Sequence, residues 1–117
     1  MSTLIIDEGY EGLVYGPLAY TLEGHQKFLG DVHVKVPLLV DGDLTVKGNL
    51  KCDWSLCVHG NEFVEGTEYI RGNQTIRGTQ TIGEKQHIKG NQIIRGHQLV
   101  MATQFVTGDQ TVHGRQK

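Results

Sequence analysis

The sequence predicts an all-β fold: a β-solenoid, or β-helix, built from six-residue faces with a triangular cross-section. Three observations predict it. An apolar residue recurs at every sixth position from Leu22 to Val112, and most of these are followed two residues later by a glycine. Between them the chain alternates apolar and polar, which is the pattern of strands with one buried face. Finally, Gly42, Gly60, Gly78, Gly96 and Gly114 form an unbroken column eighteen residues apart, the length of one three-faced coil. A fixed short period means one structural unit repeated.

Residues 1–21 fit the period poorly and are expected to form an irregular cap or docking segment. They hold the apolar clusters Leu4-Ile5-Ile6 and Leu13-Val14-Tyr15, the turn signals Glu8-Gly9 and Gly16-Pro17, and Tyr10, Tyr15 and Tyr20, three of the four tyrosines. A repeat stack needs its open end covered, which is the structural role for this segment. The functional role is to contact another structural protein or another copy of the chain, with Tyr10 and Tyr15 as the contact candidates.

Residues 22–117 are expected to be the repeat. The stretch 42–60, GDLTVKGNLKCDWSLCVHG, states it best, with Leu44, Val46, Leu50, Cys52, Trp54, Leu56 and Val58 on one parity. No single flat strand runs that long; ordinary strands span about 5 residues. Glycine at regular intervals supplies corners where a side chain would not fit. The expected corners are Gly42, Gly48, Gly60, Gly66, Gly72, Gly78, Gly90, Gly96, Gly108 and Gly114. Val36, Trp54, Glu84 and Ala102 occupy corner positions without being glycine. Trp54 either fills a local cavity or projects as a partner anchor.

The inward chemistry changes along the chain. Two residues before each aliphatic stand Leu44, Leu50 and Leu56, then Glu62 and Glu68, then Gln74, Gln80, Gln86, Gln92, Gln98, Gln104 and Gln110. Parity points the glutamines inward. A buried unpaired amide costs about 1–3 kcal/mol, so the row is stable either as a mutual ladder between strands roughly 4.8 Å apart or rotated to a wet rim. Outside, an eighteen-residue coil stacks Tyr69, His87 and Phe105, and likewise Ser55, Asn73, Asn91 and Asp109. It also places Arg77 under Arg95 and Arg71 under Lys89, a mildly unfavourable pairing on a solvated face. The same triangle can be wound by one chain, residue i on i+18, or by three intertwined chains. In both, exposed strand edges predict self-association, as a trimer or a polymer.

Composition excludes more than it identifies. The formal charge of −2 over 117 residues lacks the positive excess of a nucleic-acid binder. The glycine period of six is not that of collagen. No apolar run approaches the ~20 residues of a membrane span. Asp7 and Glu8 interrupt the only apolar start, so no signal peptide is read. Cys52 and Cys57 differ in parity, so one is a core residue and the other a surface thiol, with no disulfide between them.

Two resemblances bear on function. Leu44-Thr45-Val46-Lys47-Gly48-Asn49-Leu50-Lys51-Cys52 resembles the opening coils of bactofilins, bacterial cytoskeletal proteins. It implies a single-chain triangular β-helix that polymerises end to end without a nucleotide. Bactofilins vary their spacing more and carry no glutamine in every hexad. Gly72-Asn73-Gln74-Thr75-Ile76 and Gly108-Asp109-Gln110-Thr111-Val112 resemble the trimeric β-helices of phage tail spikes and fibres, and Val40-Asp41-Gly42-Asp43-Leu44-Thr45-Val46 resembles phrases in phage structural proteins. The contractile-tail spike repeat has eight residues rather than six, and the His-x-His pairs of iron-binding tips are missing. The left-handed hexapeptide acyltransferases and their zinc carbonic anhydrase relative match poorly, because glycine is displaced by one and glutamine fills the small-residue site.

No catalytic constellation is read. His25, His33, His59, His87, His97 and His113 do not fall on adjacent coils of one column, so no zinc set converges. No glycine opens a helix that could hold phosphate. Glu62 and Glu68 read as a polar plug, and Arg71, Arg77, Lys89 and Arg95 as a solvated basic stripe. The expectation is a non-catalytic, self-associating rod without a cofactor, in a virion or the cytoplasm.

Overall fold

The computed structural model describes residues 3–15 and 19–116. The expected Gly16-Pro17 turn and Leu18 lie outside the described residues. Among those described there are seventeen strands and no helix. In chain order they are β1 (Leu4–Ile6), β2 (Tyr20–Glu23), β3 (Gln26–Phe28), β4 (Val32–Val34), β5 (Leu38–Asp41) and β6 (Leu44–Val46). Next come β7 (Leu50–Cys52), β8 (Leu56–Val58), β9 (Glu62–Val64), β10 (Glu68–Ile70), β11 (Gln74–Ile76) and β12 (Gln80–Ile82). The last are β13 (Gln86–Ile88), β14 (Gln92–Ile94), β15 (Gln98–Val100), β16 (Gln104–Val106) and β17 (Gln110–Val112).

Each strand hydrogen-bonds, in parallel, to the strands three before and three after it. This gives three sheets: β1-β4-β7-β10-β13-β16, β2-β5-β8-β11-β14-β17, and β3-β6-β9-β12-β15. The register is the expected one. Leu38, Leu56, Gln74, Gln92 and Gln110 stack in one column, each eighteen residues from the next. One chain thus winds on itself as a three-sided β-solenoid of about five coils.

The first and third residues of each strand point inward and the middle one outward. Val46, Val64, Ile70, Ile76, Ile82, Ile88 and Ile94 are fully buried. On one outer face Tyr69, His87 and Phe105 stack edge to face, with centroids 5.0 and 5.1 Å apart, as the eighteen-residue column requires.

Coiling starts earlier than the sixfold pattern suggests. Leu4 pairs with Val32 and Ile6 with Val34, so β1 belongs to the first coil. That coil carries ten more residues than the others between stacked partners. The surplus forms an excursion in which Tyr10 and Leu13 pack against the core. Val14 and Thr21 exchange two backbone hydrogen bonds of 2.8 Å, so Val14 occupies the lower edge of β2. The period hid β1 because the excursion breaks the count, not because the strand lacks partners.

The corner glycines answer a steric need. Among the described residues only Gly12 and Gly24 have clearly left-handed φ, at 89° and 83°, with Gly42 at 157°. Elsewhere the problem is space. A Cβ on Gly96 would lie 2.6 Å from the Gly78 carbonyl oxygen, and one on Gly90 the same distance from Gly72. A side chain adds to the crowding: Asn73 Oδ1 accepts the Asn91 N–H at 2.8 Å and sits where a Gly90 Cβ would be. Asp31, Asp43, Asn49, Asn61 and Asn91 do the same one coil on. Residues Asp31, Asp43, Asn49, Asn61, Asn73 and Asn91 therefore dictate glycine at 48, 60, 66, 78, 90 and 108, seventeen positions later.

This accounts for three of the four departures; the fourth, Val36, is buried and joins the core. Trp54, Glu84 and Ala102 lie seventeen residues after Pro37, Thr67 and Lys85, none of which projects a carboxylate or amide oxygen into the corner. Trp54, which parity would have turned inward, is 57 % exposed at the corner between β7 and β8. Where Glu84 displaces the corner glycine, Gly83 takes the tight spot beside the Glu65 carbonyl.

Candidate functional site

Two features carry chemistry beyond the apolar wall: the amide-lined core and the upper end of the stack. The core is a ladder. Gln74, Gln80, Gln86, Gln92 and Gln98 are at most 1 % exposed, so parity rather than the wet-rim alternative holds for them. Gln104 is half-buried and Gln110 exposed, because the coil above them is incomplete.

Every rung donates toward the coil below. Gln92 Nε2 lies 2.8 Å from Gln74 Oε1, Gln98 Nε2 2.7 Å from Gln80 Oε1, and Gln104 Nε2 2.6 Å from Gln86 Oε1. Neighbouring faces are cross-linked as well, as in the 2.8 Å bond from Gln80 Nε2 to Gln74 Oε1. A carboxamide has both a donor and an acceptor, so identical rungs satisfy one another in one direction without water. Gln116, which the sixfold count did not single out, is the next rung; its Nε2 reaches the oxygens of Gln98, Gln104 and Gln110 at 2.9–3.0 Å.

Such a ladder needs a foot that accepts without donating downward, because the layer beneath it is Leu44, Leu50 and Leu56. Glu62 and Glu68 are that foot. Glu62 Oε1 accepts from Gln80 at 2.6 Å and Gln74 at 3.3 Å; Glu68 Oε1 accepts from Gln86 at 2.8 Å and Gln74 at 2.9 Å. Both residues are buried, and the Oε2 atom of each accepts from no donor. Burial, and then the neighbouring Glu68 carboxyl, raise the Glu62 pKa well above its ordinary 4.5. This favours the protonated, uncharged form of Glu62, the form least costly to bury beside a second carboxyl. Sequence reasoning noticed these two acids but not their role. The signal was there: they fall between the leucine layer and the first glutamines.

The last described coil is less well covered than the rest. Among the described residues β16 and β17 are the last strands of their sheets, and Gln116 bridges to Gln98 of β15. Val100, Val106 and Val112, inward residues of the last coil, are only half-buried, whereas Ile6 and Leu22 of the first coil are 0 % and 3 % exposed. Of the expected contact residues, Tyr15 is 75 % exposed and stacks edge to face on Tyr20 at 5.3 Å, while Tyr10 is half-buried against the core.

The histidines do not converge. His33 and His59 each pair with a single carboxylate, Asp53 at 2.8 Å and Asp41 at 3.1 Å. Among the described residues no three His, Cys, Asp or Glu side chains are grouped so as to hold a metal ion. Arg71, Arg77, Lys89 and Arg95 are exposed. No helix of the described residues is long and apolar enough to cross a membrane. No protein-family model, no curated protein and no solved structure matches the chain.

Proposed function

We propose that this chain is a non-catalytic structural protein, a stackable segment of a rigid rod within a larger assembly. The regular winding carries the reading: three parallel sheets hold one eighteen-residue register from coil to coil around a buried amide ladder. One copy is a squat prism, 36 × 33 × 23 Å with a radius of gyration of 12.8 Å. The dry amide ladder suits such a part, since it fixes one register along the stack.

The assembly we favour is a phage virion, where the chain would serve as spike, fibre or decoration. The Gly-Asn-Gln-Thr-Ile and Val-Asp-Gly-Asp-Leu-Thr-Val phrases support it. The N-terminal excursion, with Tyr15 outward, and the projecting Trp54 are then the contacts to other structural proteins. The second reading, a bactofilin-like filament scaffold in the cytoplasm, is favoured by the single-chain winding. Neither reading needs a cofactor, a nucleic acid or a membrane span.

Light scattering across a concentration series, with electron microscopy of the same samples, tests the proposal. Association into trimers or longer stacks is expected. A discrete trimer sinks the filament reading, and open-ended polymers sink the trimeric spike. A monomer at every concentration overturns self-association itself.

A further inference from the structure

The outer face of the sheet β2-β5-β8-β11-β14-β17 carries two neighbouring columns of outward residues. One runs Thr21, Leu39, Cys57, Thr75 and Ile93, each paired in register with the next. The other stands two residues further along each strand: Glu23, Asp41, His59, Arg77 and Arg95. Glu23 pairs with Asp41 in register. The N–H groups of His59, Arg77 and Arg95 donate to the carbonyls of Val40, Val58 and Ile76 at 2.9–3.0 Å, which keeps the column in step to the top.

From bottom to top the second column reads acid, acid, imidazole, base, base. Turned end for end, it is its own complement: Glu23 meets Arg95, Asp41 meets Arg77, and His59 stays at the centre. Among the described residues Glu23, Arg77 and Arg95 belong to no ion pair, and Asp41 pairs only with His59. The other two corner columns lack this symmetry. One is Lys35, Asp53, Arg71 and Lys89; in the other, Lys47 and Glu65 pair with each other at 3.4 Å. The central level of the face is also its least polar. Cys57 is half-buried there, and Trp54 projects from the corner that opens the same strand, β8. Ile93, above it, is 41 % exposed.

We propose that a second copy of this chain docks on this face, antiparallel, about a two-fold axis that runs along β8. The contact is isologous, so each pairing occurs twice. Glu23 and Asp41 of each copy face Arg95 and Arg77 of the other, Cys57 faces Cys57, and both Trp54 side chains stand at one end of the axis. A parallel pair would set acid on acid and base on base. One sheet face is a small contact, of the weak, transient class, and salt screens the charges that orient it. The contact lies on the side of the prism, so it goes beyond the rod reading, which concerns the axis.

Cysteine cross-linking tests it. Packed sheets lie about 10 Å apart, so a short bis-maleimide is expected to join native chains through Cys57, with a yield that falls severalfold as salt rises. In a Cys57→Ser background, a chain with Thr21→Cys is expected to link to one with Ile93→Cys and not to its own kind. Arg77→Glu with Arg95→Glu, or Glu23→Lys with Asp41→Lys, is expected to cut linking at Cys57 about tenfold. Mixing these two chains, or placing all four changes in one chain, is expected to restore it. Circular dichroism checks that each variant folds. Position 21 linking to itself, or linking indifferent to salt and to charge reversal, overturns the antiparallel pair. So do native chains whose Cys57 takes a single maleimide but never links. Stacks that grow while Cys57 stays unlinked overturn the pair and leave the rod; linked pairs that never grow longer uphold the pair and overturn the rod.

Discussion

The Gln80 carboxamide stands directly over the Glu62 carboxyl, its Nε2 2.6 Å from Glu62 Oε1. Gln80 is one coil above Glu62, and the bond is where a row of amides meets an acid with leucine beneath. Stability should therefore depend on pH through one buried group. Its folded-state pKa is raised, so the folded chain holds a proton that the unfolded chain releases above about pH 4.5. The contribution is complete below that pH and is lost as pH rises toward the folded value, by about 1.4 kcal/mol per pH unit. Denaturant titrations between pH 4 and 9 should show this slope, and Glu62→Gln should flatten it. A native chain whose stability rises over that window contradicts a protonated Glu62.

Interrupting the ladder should cost far more inside than at its end. Gln80→Leu removes the 2.6 Å donor to Glu62 and the 2.7 Å acceptor of Gln98, and should lower stability by about 2–3 kcal/mol. Gln110→Leu, on an exposed rung, should change it by less than about 1 kcal/mol. Chemical denaturation compares them, and equal losses would mean the ladder is not a dry network.

The corner rule makes a double-mutant prediction. Thr67→Asn brings an amide oxygen against the side chain at position 84 and should destabilise. With Glu84→Gly in the same chain it should become neutral or favourable, a coupling of about 1 kcal/mol or more. Additive effects would separate the glycines from the oxygens beneath them.

The thiols should differ sharply. Cys52 is fully buried, and desolvation, then the Glu68 and Glu62 carboxyls, hold its pKa well above the ordinary range. Cys57 is half-buried; desolvation raises its pKa and Arg77 offsets part of that. A thiol reagent should label one cysteine of the folded chain, slowly, and two after denaturation. Prompt labelling of both would mean that the leucine half opens readily.

Much of this was legible in the sequence because the repeat is even-numbered. A period of six keeps Val46, Val64 and Ile82 on one side of every strand, so parity alone placed the wall and the buried glutamines. Position 54 failed because parity lapses at corners, where the chain turns and a side chain can swing out. β1 was missed because periodicity sees only uninterrupted counting. The roles of Glu62 and Glu68 required knowing that amide donors all point one way, a fact of stacking rather than of composition. The partnership of each corner oxygen with the glycine seventeen residues on was written plainly, but in a spacing that is no multiple of six.

The acid foot also constrains how a gene for this chain can change. Above it, an insertion or deletion of eighteen codons slides one complete coil in or out and leaves every rung facing an equivalent rung. Without residues 80–97, Gln98 would come to rest on Glu62 as Gln80 does now. An odd length would throw valine outward and charge inward, and an even length that is not a multiple of six would put the hexads out of step. The boundary itself cannot be copied so freely, since a second acid pair higher up would leave the amides beneath it facing a layer with little to accept from. Variation in length is therefore expected above residue 80 and in multiples of six, with the foot held in place.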